Sequence, residues 1–195
     1  NSNLKFEFEG ETNKAFEDKT RAFFKKIDKY FPFILNHDIE IKSKNNFPHS
    51  SGIASSASSM AALSACLVDF EKMNNSEMSD DFFYKKASFI SRIGSGSASR
   101  SICGPVVIWG ESEAYENSND LYAVNISNQT HEIFKDFNDT ILIIDPGQKK
   151  ISSTEGHKLM NKNPFSNQRY DIARKNVIDL KNILKSGDLD GFISI

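Results

Sequence analysis

Two short segments hold most of the side chains that could do chemistry. The first is Pro48-His49-Ser50-Ser51-Gly52-Ile53-Ala54-Ser55-Ser56-Ala57, followed at once by an alanine-rich apolar run that reaches Val68. Glycine and other small residues let backbone N–H groups approach an anion closely. A helix that starts there adds its unpaired N-terminal donors and the positive end of its dipole. Serine hydroxyls can contact phosphate oxygens or a divalent cation. By composition alone, a flexible linker or an ordinary N-capped helix explains this segment equally well. The second segment is Gly94-Ser95-Gly96-Ser97-Ala98-Ser99-Arg100-Ser101. It adds a guanidinium, which can hold a phosphate group through two parallel hydrogen bonds. Seen alone, it reads more simply as a Ser/Gly turn with one exposed arginine.

Other arrangements that bind or transform phosphates are missing from the sequence. No Gly-Lys-Ser/Thr ending of a Walker loop occurs, nor a protein-kinase signature set. His49 and His157 fall in candidate loops, while His37 and His131 have no partner pattern and no cluster has metal-ligand spacing. Asp145 and Asp171 read as a strand-end and a surface acid. Cys66 and Cys103 read as a pair of small buried hydrophobes rather than a disulfide.

The 24 basic and 26 acidic residues nearly cancel, so net charge points to neither nucleic acid nor an anionic membrane as partner. No apolar run reaches about eighteen residues, and no charged-then-apolar leader opens the chain, which makes a reducing cytoplasm the expected setting. The sequence opens without methionine inside an alternating segment and stops at Ile195 without a polar tail, as part of a longer protein would.

Hydrophobic periodicity supplies the elements that must position the two segments. Leu4, Phe6 and Phe8 alternate with charges and predict a strand; Ile39 and Ile41 predict another. Between them, Phe16, Phe23, Phe24, Ile27, Tyr30 and Phe31 fall near one face of a helix over about 13–31. A helix is expected to leave the first segment near Ile53. Ser79-Asp80-Asp81 announces another, running to about Ile93, with Phe82-Phe83-Tyr84 as core. Pro105–Trp109 reads as a buried strand with Trp109 as packing, 111–120 as a loop, and 121–126 and 140–145 as further strands. Pro146-Gly147 turns the chain, a short helix begins near Ser152, and a longer one spans roughly 167–184 with Gly187 as its C-terminal cap. This mixture is α+β or α/β, and the order alone does not separate them.

The two segments together resemble a known family. Asn45-Asn46-Phe47-Pro48 followed by Gly52-Ile53-Ala54-Ser55-Ser56-Ala57 is similar to the phosphate-binding motif of the GHMP kinases: proline, three residues, then Gly-Leu-Gly/Ala-Ser-Ser-Ala. The Asn-Phe-Pro lead-in and the alanine at position 54 resemble the diphosphomevalonate decarboxylases in particular. The second segment resembles that family's Gly-Ser-Gly-Ser-Ala-Cys-Arg-Ser block, with Ser99 in place of the usual cysteine. Two such blocks at the family's spacing argue against two unrelated turns.

The resemblance implies a GHMP kinase-like α+β fold. A ribosomal-protein-like N-terminal domain would cover residues 1–137, and a partial ferredoxin-like domain would begin at 138 and run through 195. It implies ATP-dependent decarboxylation of mevalonate 5-diphosphate, through phosphorylation of its tertiary hydroxyl. ATP and Mg²⁺ would be held by Pro48, Gly52, Ala54, Ser55 and Ser56, and the substrate diphosphate by Ser95, Gly96, Ser97 and Arg100. A small-molecule substrate is thus the implied partner, and a homodimer is one assembly open to the protein. Where some members place an arginine on the diphosphate, this chain has Thr154, with Lys149 or Lys150 as weak substitutes. The family's lysine-rich opening segment would precede Asn1, and its catalytic aspartate would lie beyond Ile195. These 195 residues alone are therefore expected to be inactive. Two alternatives stay open: a mevalonate or phosphomevalonate kinase that never decarboxylates, and a non-catalytic GHMP relative.

Overall fold

The structure, a computed structural model, describes residues 3–47, 53–138, 140–142, 153–160 and 163–195. The chain forms two compact units, which meet in sequence between Ile102 and Cys103.

In the first unit, β1 (Leu4–Phe8) turns through Glu9 and Gly10 into the short antiparallel β2 (Glu11–Thr12). Both turn residues have positive φ (54° and 89°), the twist that a two-residue hairpin needs. Asn13 then caps α1 (Lys14–Ile27), its side chain accepting from the Phe16 N–H at 3.0 Å. Thr20, Phe23, Phe24 and Ile27 follow helical spacing and are buried together. Each such phenylalanine contributes about 1.5–3 kcal/mol by leaving water. The chain returns as β3 (Ile39–Ser43), parallel to β1 with Leu4 opposite Ile39, so the sheet order is β2-β1-β3. The helix predicted to Phe31 gives way to 3-10 turns at Asp28–Tyr30 and Pro32–Leu35, because Pro32 cannot continue an α-helix.

Next comes α2 (Ser55–Met73), whose buried residues Ala57, Ala61, Ser64 and Val68 form one stripe at helical spacing. Cys66 lies on the other side of that helix and is exposed, so it is not the buried hydrophobe that composition suggested. Then α3 (Asp80–Gly94) starts as predicted, with the Ser79 hydroxyl accepting from the Phe82 N–H at 3.2 Å. Phe83 alone of its aromatic run packs on the core, while Phe82 and Tyr84 are about half exposed. Successive residues on a helix point 100° apart, so three in a row cannot share one buried face. The core beneath the sheet joins Leu4, Phe24, Ile27, Val68, Ala87 and Ile90.

The second unit has a two-stranded antiparallel ribbon, β4 (Val107–Ile108) and β5 (Val124–Asn125). Both strands are shorter than the sequence suggested, and β4 is half-buried rather than buried. Gly104 and Gly110, with φ of 64° and 105°, bracket β4. The Asn119 side chain accepts from the N–H groups of Leu121 and Tyr122, which turns that stretch out of the ladder. The Trp109 indole donates to the Asp120 carbonyl at 3.1 Å and ties the two ends of the polar loop.

Helices α4 (Ser153–Met160), α5 (Ser166–Ser186) and α6 (Leu189–Ser194) follow. Gly187 closes α5 in the left-handed region as expected, its N–H donating to Ile183 O. No strand occupies residues 140–142, and the rest of that predicted strand, with Pro146 and Gly147, lies outside the described residues.

Candidate functional site

The first segment meets α2 at Ala54, which has φ 57° and ψ 31°. An L-residue is strained there, and only a small side chain without β-branching fits easily. This turn starts the helix two residues later than Ile53, and no side chain caps it. The Ala54 carbonyl accepts from the N–H groups of Ala57 and Ser58 at 2.9 and 3.2 Å. The first N–H groups of α2, at Ser55 and Ser56, are the ones a helix leaves for an outside acceptor. Ser58 and Ser59, one turn on, return their hydroxyls to Ser55 O and Ser56 O. The hydroxyls of Ser55 and Ser56 make no hydrogen bond among the described residues. Pro48, His49 and Gly52 lie outside them.

The second segment is a six-residue 3-10 helix, Gly96–Ser101, that leaves α3 through Ser95. Ser95 is extended, and its N–H closes α3 on Ser91 O at 2.9 Å. Two hydroxyls fix the turn from below: Ser99 Oγ donates to Gly96 O at 2.9 Å, and Ser88 Oγ of α3 donates to Ser99 O at 2.8 Å. Ala98 and Ser99 are fully buried, whereas Gly96 and Arg100 are exposed and Ser95 and Ser97 half-exposed. Among the described residues, Ser95 and Ser97 spend no hydroxyl on a protein acceptor, and Arg100 forms no ion pair. Ser99 is therefore structural.

The two segments touch. Ala57 and Ala61, in the first two turns of α2, pack on Ala98 at the centre of the 3-10 turn, with Met60 and Ile102 alongside. The contact needs alanines, since larger side chains would push the turn away from the helix. Of the residues singled out in the sequence, Ala54, Ser55, Ser56, Ser95, Gly96, Ser97 and Arg100 thus sit in one compact unit on adjoining turns. Lys149 and Lys150 lie outside the described residues, as does the side chain of Thr154. His131 serves α5 instead: its N–H donates to Leu184 O at 2.7 Å, and its ring stands against Gly187. The sequence reading missed Ser88 and Ser91. Their signal was a pair of hydroxyls three residues apart on the apolar face of α3, where buried polar groups need partners.

A family model described as the diphosphomevalonate decarboxylase-like N-terminal domain matches residues 2–122. This chain belongs to the diphosphomevalonate decarboxylase family. The Ganoderma lucidum diphosphomevalonate decarboxylase is 33% identical over 170 residues, which are 86% of this chain and 40% of that protein. The Saccharomyces cerevisiae enzyme is 33% identical over 132 residues, 68% of this chain and 31% of its own length. The chain thus spans less than half the length of these relatives. The solved mevalonate diphosphate decarboxylase of Staphylococcus aureus superposes with a TM-score of 0.74 at 28% identity, over 98% of this chain and 54% of that one. The Enterococcus faecalis enzyme, which binds ATP by a mevalonate-diphosphate-mediated mechanism, superposes at 0.68 over the same shares. At 24% identity, that second likeness is one of fold. Mixed helix and strand content and these superpositions make the diphosphomevalonate decarboxylase fold of this chain α+β and GHMP-type.

Proposed function

We propose that this chain forms the nucleotide- and diphosphate-binding part of an ATP-dependent diphosphomevalonate decarboxylase. The observation that carries the reading is the contact of Ala57 and Ala61 with Ala98. It joins an uncapped helix start to a serine-rich turn bearing Arg100, while the hydroxyls of Ser55, Ser56, Ser95 and Ser97 stay unengaged among the described residues.

Ser55 and Ser56 present backbone N–H groups and hydroxyls to the phosphates of ATP, where the α2 dipole favours negative charge. No group of three or more metal-ligating side chains exists among the described residues. Serine hydroxyls and phosphate oxygens would hold Mg²⁺, which supplies charge neutralisation on the transferring phosphoryl group. Ser95, Gly96, Ser97 and Arg100 hold the diphosphate of mevalonate 5-diphosphate. Its tertiary hydroxyl takes the γ-phosphoryl group of ATP. Loss of phosphate then leaves cationic character at that carbon, and the electrons of the carboxylate C–C bond form the alkene as CO₂ departs. The products are ADP, phosphate, CO₂ and isopentenyl diphosphate.

This chain's contribution is positioning and electrostatic stabilisation, the main source of rate in phosphoryl transfer. A domain boundary at 137/138, a cytoplasmic setting and homodimeric assembly belong to the same reading. The test is to supply the complete gene product with ATP and mevalonate 5-diphosphate and to measure ADP and CO₂ together. Equal amounts are expected. ADP without CO₂ would point to the kinase alternative, and failure to bind either ligand would overturn the reading.

A further inference from the structure

Ser88 is buried beneath the turn that carries Ser97 and Arg100 and is hydrogen-bonded to it. It lies in the second half of α3, fully buried, and its hydroxyl donates to the backbone carbonyl of Ser99 at 2.8 Å. Ser99 in turn donates its own hydroxyl to Gly96 O at 2.9 Å. A side chain of one helix thus fixes one end of the 3-10 turn, and an internal bond of the turn carries that constraint to the other end. Between these ends lie Ser97 and Ala98, with Arg100 one residue past the anchor. Ala98 rests on Ala57 and Ala61. Among the described residues, the Ser88 side chain ties the turn to α3 by a hydrogen bond, and apolar contact holds it to α2. Apolar contact resists lifting but allows sliding, whereas a hydrogen bond fixes register.

We infer that Ser88 is a positioning residue for the diphosphate site, acting through Ser99 O on Ser97 and Arg100. The inference rests on the reading that this turn binds a diphosphate. A guanidinium must meet two phosphate oxygens within a few tenths of an ångström to make both hydrogen bonds, so a loosened register costs affinity without removing any ligand-contacting group. Ser91 supplies the internal control. It is equally buried on the same helix, but its hydroxyl donates to Ser88 O at 2.8 Å, a bond within α3 that leaves the turn untouched.

The experiment compares Ser88→Ala and Ser91→Ala with the unaltered complete protein. Calorimetric titration with mevalonate 5-diphosphate gives the affinity, and thermal melting gives the stability. Both variants are expected to melt earlier, because each loses a buried hydrogen bond. Ser88→Ala alone is expected to bind the diphosphate roughly three- to tenfold more weakly, the worth of about one neutral hydrogen bond. Its ATP affinity should stay within twofold. Equal diphosphate affinity in Ser88→Ala and the unaltered protein would overturn the inference, and so would equal weakening in both variants. If Ser88→Ala fails to fold, Ser88→Cys keeps the side-chain shape with a slightly larger and weaker donor and is read by the same comparison. Failure of the unaltered protein to bind mevalonate 5-diphosphate would sink the functional reading instead, and is seen before any variant is made.

Discussion

Gly94 and Met60 approach so closely that a methyl group on Gly94 would stand 2.5 Å from the Met60 sulfur and 3.1 Å from Cε2 of Phe23. The end of α3 therefore seats directly on α2 and α1, and the Gly96–Ser101 turn leaves from that seat. The first glycine of the second segment answers to packing as well as to any ligand.

Gly94→Ala must push the Met60 thioether and the Phe23 ring aside. Overpacking of this kind costs about 1–3 kcal/mol. Urea denaturation should show the loss as a lower midpoint with little change in slope. An unshifted midpoint would mean that Met60 repacks freely.

Arg100 is exposed and forms no ion pair among the described residues, so its removal should leave the fold almost unchanged. Arg100→Ala is expected to weaken mevalonate 5-diphosphate binding by about 1.5–3 kcal/mol, roughly ten- to a hundredfold, and to spare ATP. Titrating each ligand separately checks this. Equal damage to both would assign Arg100 to the nucleotide.

The two cysteines should differ in reactivity. Cys66 is exposed on α2, whereas Cys103 is partly buried and burial pushes its thiol above the usual range. Because the thiolate is the nucleophile, a disulfide reagent at pH 8 should label Cys66 well before Cys103. Mass mapping of a briefly treated sample decides it, and Cys103 labelling first would contradict the burial.

Acid stability has a local source at Glu17, whose side chain is only 11% exposed. The Lys14 ammonium, hydrogen-bonded at 2.7 Å, is the main cause that holds the carboxyl below its ordinary value of 4.5, and Arg21 assists. Burial works against them. A carboxylate with a lowered folded value stabilises the fold above its unfolded value, and that contribution fades as pH falls through the folded one. Unfolding measured from pH 6 downward should therefore lose stability below about pH 4.5, and Glu17→Gln should flatten that slope. An identical slope in the variant would show that other carboxylates dominate.

Much of this protein was determined by its sequence. Alternation and helical spacing act over a few residues, so Leu4–Phe8, Ile39–Ser43, the Ser79 cap of α3 and the Gly187 stop of α5 could be read locally. The two serine-rich blocks stood out only through their resemblance to a family's motifs, because composition alone left a linker, a capped helix or a plain turn open. What remained hidden depends on contacts between distant residues. The exposure of Cys66, Phe82 and Tyr84 follows from which face of each helix meets the core. The retreat of the ribbon to residues 107–108 and 124–125 follows from Asn119 taking backbone donors that periodicity had assigned to a ladder. The pairing of Ala57 and Ala61 with Ala98, and the hold of Ser88 on Ser99, join residues eleven to forty-one positions apart. Propensity acts along the chain, but packing and hydrogen-bond satisfaction act across space, so only the tertiary structure could decide which serines were spent on the fold.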